Sequence, residues 1–111
     1  MATVAVLGPG SWGTALALLL ARNGHTVRLW GHDPEEIAPL RRERENRRYL
    51  PGIPFPPALT AGIDLVEALA GADLALAVVP SHAYGMTLAR LRPHFPVGAG
   101  FAWVTEGLEP G

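Results

Sequence analysis

The chain has 111 residues, 49% hydrophobic and 17% charged, which gives a single domain enough apolar material for a core and excludes general disorder. Its formal net charge of -1 draws it neither to nucleic acid nor to an anionic membrane, so the expected partner is a small molecule. Cysteine is absent, which excludes disulfides and thiolate chemistry, and all nine basic residues are arginine, leaving no lysine. Apolar stretches are short and no targeting pattern is visible, so residues 1–111 are expected to form one cytoplasmic domain.

In chain order, Thr3 to Leu7 is an apolar run without polar alternation, as in a strand buried on both faces of a parallel sheet. Ser11 to Asn23 has leucines at helical spacing and ends at Asn23-Gly24. Thr26 to Trp30 reads as a second strand. Asp33-Pro34-Glu35-Glu36 opens a helix with Asp33 as N-cap, and Pro39 is expected to kink or restart it before a polar helix from Leu40 to Asn46. Four prolines between Leu50 and Ala58 imply an extended loop with no regular element.

A weak strand over Leu59 to Ala61 precedes a short helix capped by Asp64 and closed by Gly71. Leu74 to Val79 is another apolar strand, His82 to Leu91 a helix, and Phe101 to Val104 a final strand. Strands alternating with helices predict an α/β, Rossmann-type doubly wound parallel sheet with strand order 3-2-1-4-5.

The chemistry centres on Gly8-Pro9-Gly10-Ser11-Trp12-Gly13, which follows a buried strand and opens a helix inside a βαβ unit. Gly8 permits the turn, Gly10 lets a pyrophosphate approach the backbone, and Gly13 lets the helix pack on the strand. The helix's first N–H groups and its dipole then face an anion, so the loop predicts a dinucleotide, NAD or NADP. A glycine turn needed for packing alone is the alternative. Ser11 can cap the helix and also donate to phosphate. Trp12 covers the cofactor or else staples a neighbouring loop.

The second strand ends in Gly31-His32 where an acid would select NAD, and Asp33 is taken by capping. NADP preference or dual use follows, with His32 either touching the adenosine end or serving as an ordinary loop residue. Pro80 and Ser81, together with the Glu106 segment, lie past the carboxyl ends of strands four and five. They border the nicotinamide end of the crevice or merely connect elements. Arg41 with Glu45 and Glu43 with Arg47 have i,i+4 spacing and read as a solvated helix face. His25, His82 and His94 are scattered without metal-ligand spacing, so no metal is expected.

The ordered motifs extend beyond the glycine loop, through Thr14-Ala15-Leu16-Ala17, Asn23-Gly24-His25 with Leu29-Trp30, and Tyr49-Leu50-Pro51-Gly52. Val79-Pro80-Ser81 follows, and Trp103-Val104-Thr105 precedes Gly107-Leu108-Glu109. Together they make the chain resemble the amino-terminal domain of bacterial NAD(P)-dependent glycerol-3-phosphate dehydrogenase. The resemblance implies hydride transfer between NAD(P)H and dihydroxyacetone phosphate or glycerol 3-phosphate, feeding phospholipid synthesis. It also implies cofactor contacts at Ser11, Trp12, His32 and Tyr49, although Tyr49 equally suits an aromatic anchor for the proline loop.

Two departures stand out. Glu106 occupies the position of a family lysine that contacts substrate and cofactor, and a carboxylate there repels phosphates. The family also continues into a helical domain that supplies another essential lysine. The isolated chain is therefore expected to be a truncated, inactive cofactor domain that self-associates through an exposed apolar face. The alternative is a stand-alone NAD(P)-binding or redox-sensing module.

Overall fold

The computed structural model describes residues 1–78 and 84–104. Five strands form one parallel sheet in the order β3-β2-β1-β4-β5, the expected doubly wound topology. The strands are β1 (Thr3–Leu7), β2 (Thr26–Trp30), β3 (Leu59–Gly62), β4 (Leu74–Ala77) and β5 (Gly100–Trp103). The helices are α1 (Ser11–Arg22), α2 (Pro34–Glu43), α3 (Leu65–Leu69) and α4 (Tyr84–Leu91), and a 3-10 turn at Arg92–His94 follows α4. Central β1 pairs with β2 on one side, Val6 opposite Leu29, and with β4 on the other, Val6 opposite Leu76.

Because side chains alternate along β1, the strand feeds two cores. Val4 and Val6 pack with Ala17, Leu18, Val27, Leu29, Ile37 and Leu59 under α1 and α2. Ala5 and Leu7 pack with Trp30, Ala68, Leu69, Ala75, Ala77 and Leu91 on the other face. Each fully buried valine, leucine or isoleucine side chain contributes about 1.5–3 kcal/mol, and each alanine methyl less. This two-sided burial is the physical reason that β1 reads as an unbroken apolar run.

Helix α2 corrects one expectation, since it runs through Pro39 without a break. The proline deletes only the bond to the carbonyl of exposed Glu35, while buried Ile37 and Leu40 hold the helix on the sheet. The helix instead stops at Arg44, a left-handed residue with φ 55°. That conformation costs a non-glycine residue about 1–2 kcal/mol. Arg44 offsets the cost with several contacts: its N–H donates to Leu40 O at 3.0 Å, its carbonyl accepts from Phe55 N at 2.6 Å, and its Nη2 donates to Pro56 O at 2.9 Å.

Stopping at Arg44 also removes the expected polar helix through Asn46. Arg47 Nε does meet Glu43 Oε1 at 3.4 Å, but the Arg41–Glu45 pair is absent among the described residues. Glu45 turns instead to the Gly52 N–H at 2.9 Å and to Arg47. The proline loop is not wholly irregular either, because Glu45 and Pro54 form an isolated antiparallel bridge and Phe55 is buried.

Smaller differences are confined to element ends. Strand β4 closes at Ala77, with the Val78 N–H continuing the ladder to Leu7 O at 2.8 Å, and β5 begins one residue early, at Gly100. Of the segment expected to form α4, residues 82 and 83 lie outside the described residues. No helix among the described residues is long and apolar enough to cross a membrane.

Candidate functional site

The site forms at the carboxyl edge of the sheet, where the chain leaves β1 and where β2 and β4 diverge from it in opposite directions. Gly8 continues the sheet by donating its N–H to Trp30 O at 2.9 Å, then turns with φ 128°, a conformation that side-chain-bearing residues rarely adopt. The chain reaches α1 three residues later, at Ser11. A Cβ on Gly13 would lie 1.8 Å from Gly8 O and 3.7 Å from the Val78 Cβ. The first turn of α1 is therefore pressed on the loop that follows β1, and no side chain fits between them.

The N-cap of α1 is Gly10, so Ser11 is the first helical residue rather than the cap expected from the sequence. No side chain bonds the open N–H groups of that turn, and the turn contains no acid. The contrast with its neighbours is electrostatic. Helix α2 is capped by Asp33, which accepts from Glu35 N at 2.9 Å, and it carries Glu35 and Glu36 in its first turn. Helix α3 is capped by Asp64, which accepts from Val66 N at 2.9 Å, and it carries Glu67. These two helices neutralise their own positive ends, whereas α1 leaves its positive end open to an external anion.

At this open end of α1, Ser11 is exposed and Trp12 is 50% exposed. Gly31 follows β2 in a confined position, where a Cβ would meet Pro9 Cγ at 2.8 Å and Ile37 Cδ1 at 3.0 Å. The next residue, His32, is exposed, with its ring 6.5 Å from that of Trp30. Trp30 itself is structural: it is buried in the second core and its indole N–H donates to Ile63 O at 2.9 Å. His25 is also structural, its Nδ1 accepting from Ala2 N at 3.0 Å.

Tyr49 approaches the loop from α2's side. It helps line a cavity of about 150 Å³ with Pro9, Pro39, Leu40 and Asn46, and the Arg48 guanidinium lies 5.2 Å from its ring. Of the residues singled out in the sequence, Gly8, Gly10, Ser11, Trp12 and Gly13 thus form one loop and helix start, with Gly31-His32 beside it and Tyr49 across the cavity. Pro80, Ser81 and Glu106 lie outside the described residues.

Sequence reasoning missed two residues, Thr14 and Asn46. Both are buried, at 0% and 3% exposure, and they bond each other and the Pro9 carbonyl behind the glycine loop. The one available signal was an uncharged polar residue at position 46 within an arginine-rich run.

Comparison with known proteins agrees with this geometry. Residues 3–111 match the family model described as the NAD-dependent glycerol-3-phosphate dehydrogenase N-terminus. The chain is 56% identical over 107 residues to glycerol-3-phosphate dehydrogenase (NAD(P)+) of Pseudoalteromonas translucida, covering 96% of this chain and 32% of that protein. The corresponding enzyme of Stenotrophomonas maltophilia is 56% identical over 108 residues, covering 97% of this chain and 32% of its own length. A crystal structure of glycerol-3-phosphate dehydrogenase from Coxiella burnetii superposes with a TM-score of 0.90 at 45% identity, covering 96% of this chain and 33% of that one. The chain thus spans about a third of the length of the relatives it matches.

The close approach at Gly13 makes a direct prediction. Gly13→Ala is expected to lower the unfolding free energy by about 3 kcal/mol or more, because backbone on both sides must move. Gly62→Ala, where nothing lies within 4 Å, is expected to stay within about 0.5 kcal/mol of the parent. Urea denaturation of both variants checks the contrast.

Proposed function

The chain belongs to the NAD-dependent glycerol-3-phosphate dehydrogenase amino-terminal domain family, and on that premise we propose that it binds NAD(H) or NADP(H) across the carboxyl edge of its sheet. The observation that carries the reading is the unneutralised start of α1, whose Gly13 packs on Gly8 with no side chain between them. A diphosphate needs both features, open N–H donors and room for close approach. In this reading Gly8, Gly10 and Gly13 shape the loop, and Ser11 and Trp12 flank the bound cofactor. His32 and Tyr49 meet its adenosine end, and Pro80 and Ser81 border its nicotinamide end.

In the full-length enzyme a dinucleotide held by these residues would supply the hydride exchanged with dihydroxyacetone phosphate or glycerol 3-phosphate, in a step serving glycerophospholipid synthesis in the cytoplasm. This chain's part is to bind and orient. Its 111 residues hold no lysine, and Glu106 stands where the family pattern has one. Within these residues there is thus no lysine ammonium to neutralise a substrate phosphate or protonate a developing alkoxide. We therefore expect no measurable oxidation of NADH or NADPH by the purified 111-residue protein with dihydroxyacetone phosphate, followed at the nicotinamide absorbance band. Turnover would contradict the assignment of only the cofactor half of the chemistry to this chain.

Gly31 carries no carboxylate at the place where one would select NAD, Pro9 and Ile37 crowd that position, and Asp33 is held by its capping bond. NADPH is therefore expected to bind as tightly as NADH or more tightly in calorimetric titration. A preference for NADH of about tenfold, worth about 1.4 kcal/mol, would count against this account of the adenosine end, and absence of binding by both would refute the cofactor reading.

Self-association is part of the same proposal. Leu88, Leu91, Phe95 and Phe101 line an apolar hollow of about 260 Å³ beside β5, and Phe101 is 38% exposed. Association through this face is expected to raise the sedimentation coefficient with concentration. A monomer throughout the concentration series would refute it.

A further inference from the structure

The Pro9 carbonyl is the acceptor in two hydrogen bonds that come from different parts of the chain. Thr14 Oγ1, on α1, donates to it at 3.2 Å, and Asn46 Nδ2, on the segment after α2, donates to it at 3.1 Å. The same Asn46 amide nitrogen also donates to Thr14 Oγ1 at 2.9 Å, which joins the three groups in a closed triangle. Asn46 Oδ1 accepts from Tyr49 N at 3.3 Å, and the Asn46 carbonyl accepts from Leu50 N at 2.8 Å. With both amide protons and the amide oxygen engaged, Asn46 has one orientation that satisfies its buried side chain.

Pinning that carbonyl has a geometric consequence. In a trans peptide the C=O and the following N–H point in opposite directions, and the chain has no cis peptide bond among the described residues. Drawing Pro9 O inward, toward Thr14 and Asn46, therefore turns the Gly10 N–H outward, to the side of the loop away from the core. No acceptor among the described residues takes that N–H. The Gly10 N–H thus joins the open donors of the first turn of α1.

We propose that Asn46, with Thr14 as its co-anchor, is a positioning residue that fixes the Pro9–Gly10 peptide so that the Gly10 N–H faces the cofactor diphosphate. This inference rests on the nucleotide-binding reading above. It also explains why a polar amide is buried 32 residues downstream of Thr14. An apolar residue at position 46 would fill the space but leave the peptide free to rotate, with its carbonyl able to face, and repel, an incoming phosphate.

The test compares Asn46→Ala, Thr14→Val and Thr14→Ser in the full 111-residue chain. Each is titrated with NADH and with NADPH by calorimetry and melted by circular dichroism. The expected result is that Asn46→Ala weakens both dinucleotides by the same factor, about tenfold or more, because the diphosphate is common to them. Thr14→Val is expected to weaken both by about threefold to tenfold, while Thr14→Ser, which keeps the hydroxyl, binds like the parent.

A purely structural role would lower the melting temperature and leave the affinity of the folded protein within twofold, roughly the scatter of such measurements. That outcome overturns the positioning role while leaving the cofactor site intact. Should Asn46→Ala fail to fold, the Thr14 pair decides alone: equal affinity of the Val and Ser variants overturns the inference, and loss in Val with recovery in Ser supports it. A parent chain that binds neither dinucleotide overturns the site reading and this inference with it.

Discussion

Helix α1 starts with its backbone against the Gly8 carbonyl, and this contact sets the geometry of much of the molecule. Packing this close requires two residues without side chains, Gly8 to turn and Gly13 to receive. Once made, it fixes where α1 lies on the sheet and so which face of β1 is covered by Ala17 and Leu18. It also leaves the helix start bare at the sheet edge. The same short distance thus serves packing and recognition, and a methyl group at position 13 would disturb both.

The two cores divide these duties. The face beneath α1 and α2 holds the larger aliphatic cluster and carries the elements that frame the glycine loop. The opposite face, with Leu69, Ala72 and Leu91, is stitched to the sheet by different means. Arg28 extends from β2 and donates through Nη1 to the carbonyls of Glu67, Ala68 and Ala70, satisfying the end of α3 with a charge that suits its negative pole. Trp30 spans from β2 to the Ile63 carbonyl and receives the Arg90 guanidinium 5.4 Å from its ring. Polar bonds at the periphery thus fix the orientation of short elements that apolar burial alone would leave loosely held.

The strand order and most elements were legible in the sequence because each depends on local signals. A strand buried on both faces leaves an apolar run, an aspartate before a helix leaves a cap, and a glycine with positive φ leaves a glycine. The loop at Gly8 to Gly13 was legible for the same reason. The path of residues 44–56 was not, because it follows from tertiary bonds. Arg44 adopts a left-handed conformation that its own chemistry disfavours, held by Phe55 and Pro56 some eleven or twelve positions on. Asn46 enters the interior only as a consequence, and nothing in an arginine-rich helical pattern marks one polar residue as buried. Pro39 misled for the opposite reason: the local rule against proline in helices holds, but buried side chains on either side of it outweigh one lost hydrogen bond.

The confinement of Gly31 also bears on how cofactor choice in this chain could change through mutation. In a more open turn, one substitution to aspartate at the end of the second strand would introduce selectivity for the ribose diol. Here Pro9 and Ile37 close on that position with their side chains, so an acid introduced at 31 would have to shift the Pro9 ring and the tip of the Ile37 side chain. A lineage changing preference by that route would have to accommodate this crowding, which changes at positions 9 and 37 would relieve. Exposed His32 offers a path with no such obstacle, which makes it the more accessible point of entry for selection or for protein engineering.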